Sequence, residues 1–336
     1  MGGWRFGDPN GRRKWFSHTG PFAGLPGFQL AYETWGTLNA EASNAVLVLH
    51  ALTGDSHVAG GVEPGHPTPG WWDALVDPGP LDGYFVVAPN VLGGCQGSTG
   101  PWQYPVFPSL TIRDQVAAEA LLADYLGIGR WAAVLGGSMG GMRAVEWAVS
   151  EPERVESLLL LATTAAASAE QIGLASAQLH AIRADPREGL GVARRIAHIS
   201  YRSEQELQAR FGRAVQEDGR FEVESYLDHH AAKLTRRFDA ASYVTLTEAM
   251  NSHDVGRGRG GVEAALRRVR ARTLVAGVDS DRLYPLAQQR ELAAGIPGAD
   301  DLRVITSPYG HDAFLIETAQ VGALVSELVP AHSGSR

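Results

Sequence analysis

The run Leu135-Gly136-Gly137-Ser138-Met139-Gly140-Gly141 sets one serine between paired glycines. It follows an apolar segment, Trp131-Ala132-Ala133-Val134, and precedes a helical pattern from Met142 to Ser150. A serine on a strand-to-helix turn in that setting is suited to nucleophilic attack. Such a turn is strained, and side chains two positions before and after the serine would strike neighbouring backbone; Gly136 and Gly140 have none. The helix that begins beside Ser138 aims backbone N–H groups at any negative charge developing there. Phosphate binding is the rival use of a Gly-rich turn at a helix start. The run has neither the Lys-Ser/Thr ending of a P-loop nor the glycine spacing of a dinucleotide fingerprint.

A serine hydroxyl needs a base, and the base needs a third group to orient it. Downstream of Ser138 the histidines are His180, His198, His229, His230, His253 and His311. His311, in Tyr309-Gly310-His311-Asp312, follows the last strand-like run, where the base belongs; the others fall in a helical stretch and read as surface or packing residues. The loop after Thr273–Val278 offers two acids, Asp279 and Asp281, and position alone does not separate them. An oxyanion hole needs two backbone N–H groups, here expected from Met139 and from Leu52 in the turn His50-Ala51-Leu52-Thr53-Gly54-Asp55. His50, ending a buried strand, reads as a hydrogen-bonded structural histidine. Cys95 reads as a buried, inert thiol. Asp55, His57 and His66 have no helical zinc spacing, so no metal site is expected.

These residues need a frame. Short apolar runs of strand length recur at Phe28–Thr34, Ala45–His50, Tyr84–Pro89, Trp131–Leu135, Val155–Ala162, Thr273–Val278 and Leu302–Thr306. Helical patterns lie between several of them, at Thr111–Leu126, Met139–Ser150, Pro285–Ala294 and Asp312–Leu328. Strand alternating with helix implies an α/β fold whose mostly parallel central sheet is flanked by helices, with ligands at the carboxyl ends of the strands. From about Thr163 to Gly256 the alternation stops, and helical spacing recurs at Ala177–Ile182, Leu190–Ile199, Glu204–Arg210, Glu222–Leu234 and Tyr243–Ser252. This reads as a helical lid, residues 164–256, inserted into a core made of residues 1–163 and 257–336. The Gly-Arg run Val255–Gly261 marks the return and reads as a solvated linker.

With 336 residues, 44% of them hydrophobic, the chain can bury a large core. The formal net charge of −8 argues against nucleic acid as a partner. The single cysteine excludes an intramolecular disulfide and a Cys-based structural zinc site. No charged and apolar leader pattern opens the chain, and no stretch approaches 18 consecutive apolar residues. A soluble cytoplasmic protein with no membrane partner is the expectation.

Taken as an ordered set, several segments resemble the homoserine O-acetyltransferases of the α/β-hydrolase superfamily. They include His50–Gly60 (HALTGDSHVAG), Asn90–Pro101 (NVLGGCQGSTGP), Gly136–Trp147 (GGSMGGMRAVEW), Ala193–Ser203 (ARRIAHISYRS), His253–Gly260 (HDVGRGRG), Asp279–Pro285 (DSDRLYP) and Tyr309–Leu315 (YGHDAFL). The resemblance covers nearly the whole chain and implies the α/β-hydrolase fold with its lid. It implies a ping-pong transfer in which Ser138 takes an acetyl group from acetyl-CoA and L-homoserine then takes it from the serine, in methionine biosynthesis. It places the acid at Asp281 and the base at His311. It puts Arg194 and Tyr201 at positions that hold the amino-acid carboxylate, and Asp312 at the one that holds the ammonium. No permanently bound cofactor is implied, and a homodimer through the lid helices is. Two loops, after Pro101 and after Pro186, are shorter than the family's. Both would border the pocket, which keeps serine O-acetyl transfer, O-succinyl transfer and, from another class, carboxylester hydrolysis as alternatives.

Overall fold

The computed structural model describes residues 2–329; the outer domain limits at residues 1 and 336 and the tail Ala331–Arg336 lie outside them. Eight strands make one sheet: β1 (Lys14–His18), β2 (Phe28–Trp35), β3 (Ala45–Leu49), β4 (Phe85–Pro89), β5 (Ala133–Gly137), β6 (Ser157–Leu161), β7 (Arg272–Val278) and β8 (Arg303–Ile305). Their spatial order is β1-β2-β4-β3-β5-β6-β7-β8. β1 and β2 run antiparallel to their neighbours, and β4 through β8 pair in parallel. The parallel centre is covered on both faces, which is why β3 and β6 are buried at every position and carry apolar runs instead of an alternation.

The helices in chain order are α1 (Asp73–Val76), α2 (Ile112–Tyr125), α3 (Met139–Ser150), α4 (Ala169–Ala184), α5 (Gly189–Tyr201), α6 (Glu204–Phe211), α7 (Glu222–Arg237), α8 (Ala240–Asn251), α9 (Val262–Leu266), α10 (Leu286–Gly295), α11 (Ala313–Ile316) and α12 (Thr318–Leu328). α2, α3, α9 and α10 pack with one face of the sheet around Leu122, Trp131, Trp147 and Leu292. α1, α11 and α12 pack with the other around Trp72, Phe314 and Val325. Helices α4 to α8 all lie between β6 and β7 in sequence, and α5 packs between α4 and α7. A third apolar cluster joins this helical insertion to the sheet, with Leu190, Leu234 and Tyr243 meeting Leu52, Met139, Met142 and Tyr284. No described helix is long and apolar enough to cross a membrane.

Three local expectations change. β1 was not anticipated: an edge strand with one buried side chain, Phe16, among Lys-Trp-Phe-Ser-His leaves little apolar pattern to read. The helix expected over Asp312–Leu328 is broken at Glu317 (φ −82°, ψ 55°) into α11 and α12, preceded by a single 3₁₀ turn at Gly310–Asp312. The Gly-Arg return is also not a free linker. Arg259 donates to Glu146 Oε1 at 2.6 Å and Oε2 at 3.0 Å and to Ser150 Oγ at 2.8 Å, fastening the segment to α3.

Candidate active site

Ser138 sits at the junction of β5 and α3 with φ 56° and ψ −125°, a conformation that costs a non-glycine residue about 1–3 kcal/mol. The surrounding backbone holds it there. Its N–H donates to Leu161 O at 3.0 Å, and its carbonyl accepts from Met142 N–H at 3.0 Å and Thr163 Oγ1 at 2.9 Å. The glycines are explained by distances. A Cβ on Gly136 would lie 2.2 Å from Gly140 O, and one on Gly140 would lie 2.0 Å from Leu49 O. Both obstacles are backbone, which cannot swing aside.

The last loops deliver the partners. Ser138 Oγ lies 2.9 Å from His311 Nε2, and His311 Nδ1–H donates to Asp281 Oδ2 at 2.7 Å. All three residues are buried. The other oxygen of Asp281 accepts the backbone N–H groups of Leu283 at 2.8 Å and Tyr284 at 2.9 Å, which fixes the carboxylate plane. Asp279, the alternative acid, is exposed and accepts from Ser307 N–H at 3.1 Å, away from the histidine. With Nδ1 carrying the hydrogen toward Asp281, Nε2 keeps its lone pair for the serine proton. The imidazole is wedged by Tyr284 stacked at 4.8 Å and Phe314 edge-on at 5.4 Å.

Leu52 lies in the turn after β3 and lines the cavity with Ser138, and Met139, next to the serine, is the first residue of α3. The turn carrying Leu52 is tied down on every side. Arg143 Nη2 donates to His50 O at 3.0 Å while Nη1 pairs with buried Glu119 at 2.7 Å. Arg237 Nη1 donates to Thr53 O at 2.8 Å. His50 is structural, with Nδ1–H donating to Ala51 O at 2.7 Å and Nε2 accepting from Val91 N–H at 3.0 Å. Burial and the neighbouring Arg143 hold its pKa well below the usual histidine value.

A cavity of about 170 Å³ opens on Ser138 and His311, and Arg194, Tyr201, Arg237 and Asp312 line it. Arg194 and Tyr201 come from the last two turns of α5, with the guanidinium 5.7 Å over the phenol ring. Asp312 does not cap α11; its side chain instead lies 3.5 Å from Arg202 Nη1. Burial raises its pKa, against the pull of Arg194, His311 and Arg202. The cavity wall therefore offers cations and one carboxylate beside the serine, a pattern complementary to a zwitterion.

Arg237 and Tyr284 were not anticipated from the sequence. Arg237 ends a helix among other basic residues, and nothing in the spacing points it at Thr53. Tyr284 followed the candidate acid by three residues, a visible closeness that carried no chemistry until the loop was folded.

Outside the cavity the remaining candidates are accounted for. Burial pushes the Cys95 thiol up to about 12, so it is not a thiolate nucleophile. His57 and His66 meet the buried carboxylate of Glu33, at 3.0 and 3.3 Å, and Ser56 Oγ donates to it at 2.7 Å. The two imidazoles stack at 3.9 Å with 10° between their planes. Together with Glu33 the two histidines bring three buried ligand atoms within 4.8 Å of one another, a grouping that the sequence spacing did not reveal. Asp55 Oδ1 accepts the His57 N–H at 2.9 Å and stands apart from the Glu33 contact.

A family profile for the alpha/beta hydrolase fold matches residues 44–318. The homoserine O-acetyltransferase of Thermobifida fusca (strain YX) is 60% identical, over 98% of this chain and 96% of that one. The crystal structure of homoserine O-acetyltransferase from Bacillus anthracis superposes with a TM-score of 0.84 at 25% identity, covering 95% of this chain and 97% of that one. An acetylester hydrolase from Corynebacterium glutamicum superposes with a TM-score of 0.79 at 25% identity, covering 96% and 97%. The same architecture thus carries both acyl transfer and hydrolysis.

Proposed function

Because the chain belongs to the homoserine O-acetyltransferase family of the α/β-hydrolase fold, we propose that Ser138 carries the acetyl group between two substrates. The enzyme is an acyltransferase that moves an acetyl group to the side-chain hydroxyl of homoserine. Acetyl-CoA is the donor in this reading. The observation that carries it is the Ser138–His311–Asp281 chain, with separations of 2.9 and 2.7 Å, opening on a cavity that pairs Arg194 with Asp312.

In the first half-reaction His311 Nε2 takes the Ser138 proton as Oγ attacks the thioester carbonyl. The backbone N–H groups of Leu52 and Met139 receive the oxyanion. The sulfur leaves with the proton from His311, and the serine is acetylated. Arg194 and Tyr201 then hold the carboxylate of homoserine, and Asp312 its ammonium. The acceptor hydroxyl gives its proton to His311, its oxygen bonds the acetyl carbon, and the Ser138 Oγ–acyl bond breaks as Oγ takes the proton back. Water must be kept from the acyl-serine. The apolar cluster in which Leu190, Leu234 and Tyr243 of α5, α7 and α8 pack with Leu52, Met139 and Tyr284 supports that role. A homodimer through the lid helices belongs to the same reading, and α4 and α5 leave Ile172, Val192 and Ile199 exposed.

The test incubates the protein with acetyl-CoA or succinyl-CoA and with homoserine, serine or no acceptor. CoA release and product mass are followed. Acetyl-serine at Ser138 and release that depends on homoserine are expected. Release independent of acceptor gives hydrolysis instead, and preference for serine or for succinyl-CoA refutes the substrate assignment.

A further inference from the structure

Helix α5 ends against the loop that carries His311. A Cβ on Gly310 would lie 2.5 Å from Tyr201 O and 2.8 Å from Ser203 N, so the two segments meet backbone to backbone. Between Tyr201 and Ser203, Arg202 leaves the helix with φ −98° and ψ 148° and is 7% exposed. Its Nε and Nη2 donate to Oε2 and Oε1 of buried Glu206, at 3.2 and 2.9 Å. Its Nη1 faces Asp312 Oδ2 at 3.5 Å, and the guanidinium stands 5.0 Å over the Tyr309 ring. Asp312 lines the cavity and Arg202 does not, so the charge of the arginine acts there through that carboxylate.

We propose that Arg202 is a positioning residue for the acceptor amino acid: it keeps Asp312 charged, while Glu206 restrains it from covering the carboxylate oxygens. The inference rests on the reading in which Asp312 holds the ammonium of homoserine. A carboxylate in this wall has lost most of its water, and burial raises its pKa. Protonated, it has no charge to offer an ammonium. An arginine in full bidentate contact would keep it ionised but occupy the oxygens that the ammonium needs. Arg202 avoids both outcomes. Two of its N–H groups are committed to Glu206, and 3.5 Å is longer than a normal N–H···O bond, so the charge is near and the lone pairs stay open. The other groups facing Asp312 do not serve as a fixed counter-charge. Arg194 gives its charge to the substrate carboxylate, and His311 gains and loses a proton in each half-reaction. Burial raises the phenols of Tyr201 on α5 and Tyr226 on α7, which stay neutral. Among the described residues around Asp312, Arg202 is the cation that keeps its charge throughout.

The double variant Arg202→Met/Glu206→Gln tests this, since it removes the cation without stranding an unpaired buried carboxylate. Glu206→Gln alone is its control and keeps Arg202 beside Asp312. The readouts are kcat/KM for homoserine at pH 6.5 and pH 8.5, and the burst with 4-nitrophenyl acetate, which needs no amino acid. Relative to the control, the double variant should lose about tenfold or more in kcat/KM for homoserine at pH 6.5, mostly through KM. At pH 8.5 the deficit should shrink to about threefold or less, because the higher pH ionises Asp312 without the arginine. The burst should fall by less than the homoserine step. Arg202→Lys keeps the charge and should restore most of the loss at pH 6.5. A deficit equal at the two pH values, or equal in the burst, overturns the proposal and makes Arg202 a strut for the His311 loop. So does a lysine variant as slow as the double variant. Asp312→Asn separates the two readings. If it leaves KM for homoserine unchanged, the role of Asp312 fails and the proposal with it; if it raises KM and the double variant does not, the role of Arg202 alone fails.

Discussion

Replacing Asp281 by asparagine should nearly abolish turnover while leaving the fold intact, and the geometry says why. Asp281 Oδ1 accepts two backbone N–H groups, from Leu283 and Tyr284. An asparagine must place its carbonyl oxygen there, because an NH₂ would face two donors and leave both unpaired, at about 1–3 kcal/mol each. Its NH₂ then occupies the Oδ2 position, 2.7 Å from His311 Nδ1. An NH₂ there donates, so Nδ1 must accept and the ring proton moves to Nε2. With its proton on Nε2, the histidine points a hydrogen at Ser138 and cannot take the serine's own. Loss of the working tautomer in a Ser-His-Asp site costs about 10⁴ in kcat, or roughly 5.5 kcal/mol of barrier. The assay is the rate of CoA release with saturating substrates, alongside urea unfolding to show that stability is retained. Asp279→Asn is the matched control and should stay within about threefold of wild type, since that carboxylate is exposed and bonded to Ser307. An Asp281→Asn enzyme within tenfold of wild type, or equal losses at the two positions, would refute the tautomer argument.

Other outcomes follow from the same geometry. Gly140→Ala puts a methyl 2.0 Å from Leu49 O and 3.0 Å from His50 O, so α3 must move away from β3; a loss of more than about 3 kcal/mol in denaturant unfolding is expected, and an unchanged midpoint contradicts the packing. Arg194→Ala should raise KM for homoserine at least tenfold more than KM for the acyl donor; equal changes would make it a structural arginine of α5. Burial holds His253 at about 4 in the folded chain, while its Nε2–H donates to Thr164 O at 3.1 Å. The unfolded chain takes up that proton near 6.5, so the folded state loses stability as pH falls from 6.5 towards 4, by up to about 3 kcal/mol from this residue. Urea unfolding at pH 7.5 and 4.5 should show a smaller loss for His253→Gln than for wild type, and parallel losses would dismiss the assignment.

Much of the site was legible because its requirements are local. Ser138 needs glycines two residues away on either side, and Leu52 and Met139 follow from the turns that bear them. The parallel strands were legible because burial on both faces makes them uniformly apolar, as in β3 and β6. What the sequence could not convey depends on distance in the chain. Asp279 and Asp281 differ only in which way a loop turns, and that is decided by the N–H groups of Leu283 and Tyr284 and by Ser307. Arg237 reaches Thr53 across 184 residues, and the Arg143–Glu119 pair is formed between two helices. The break at Glu317 is hidden because Ala313–Leu328 keeps one apolar periodicity through it.

The lid joins the core through two legs that lie side by side. On leaving β6 the chain passes Ala165 and Ala167, and on returning it passes His253 and Val255; Val255 N–H donates to Ala165 O and Ala167 N–H to His253 O, both at 3.0 Å. The outgoing leg starts at Thr163, whose hydroxyl holds the Ser138 carbonyl, and the returning leg ends at Arg259, which grips the far end of α3. The two covalent connections of the insertion therefore form one paired stalk, whose footing is the helix that carries the nucleophile. The segment that carries Arg194 and the helix that carries Ser138 are thus tied to one covalent anchor, at both ends of α3.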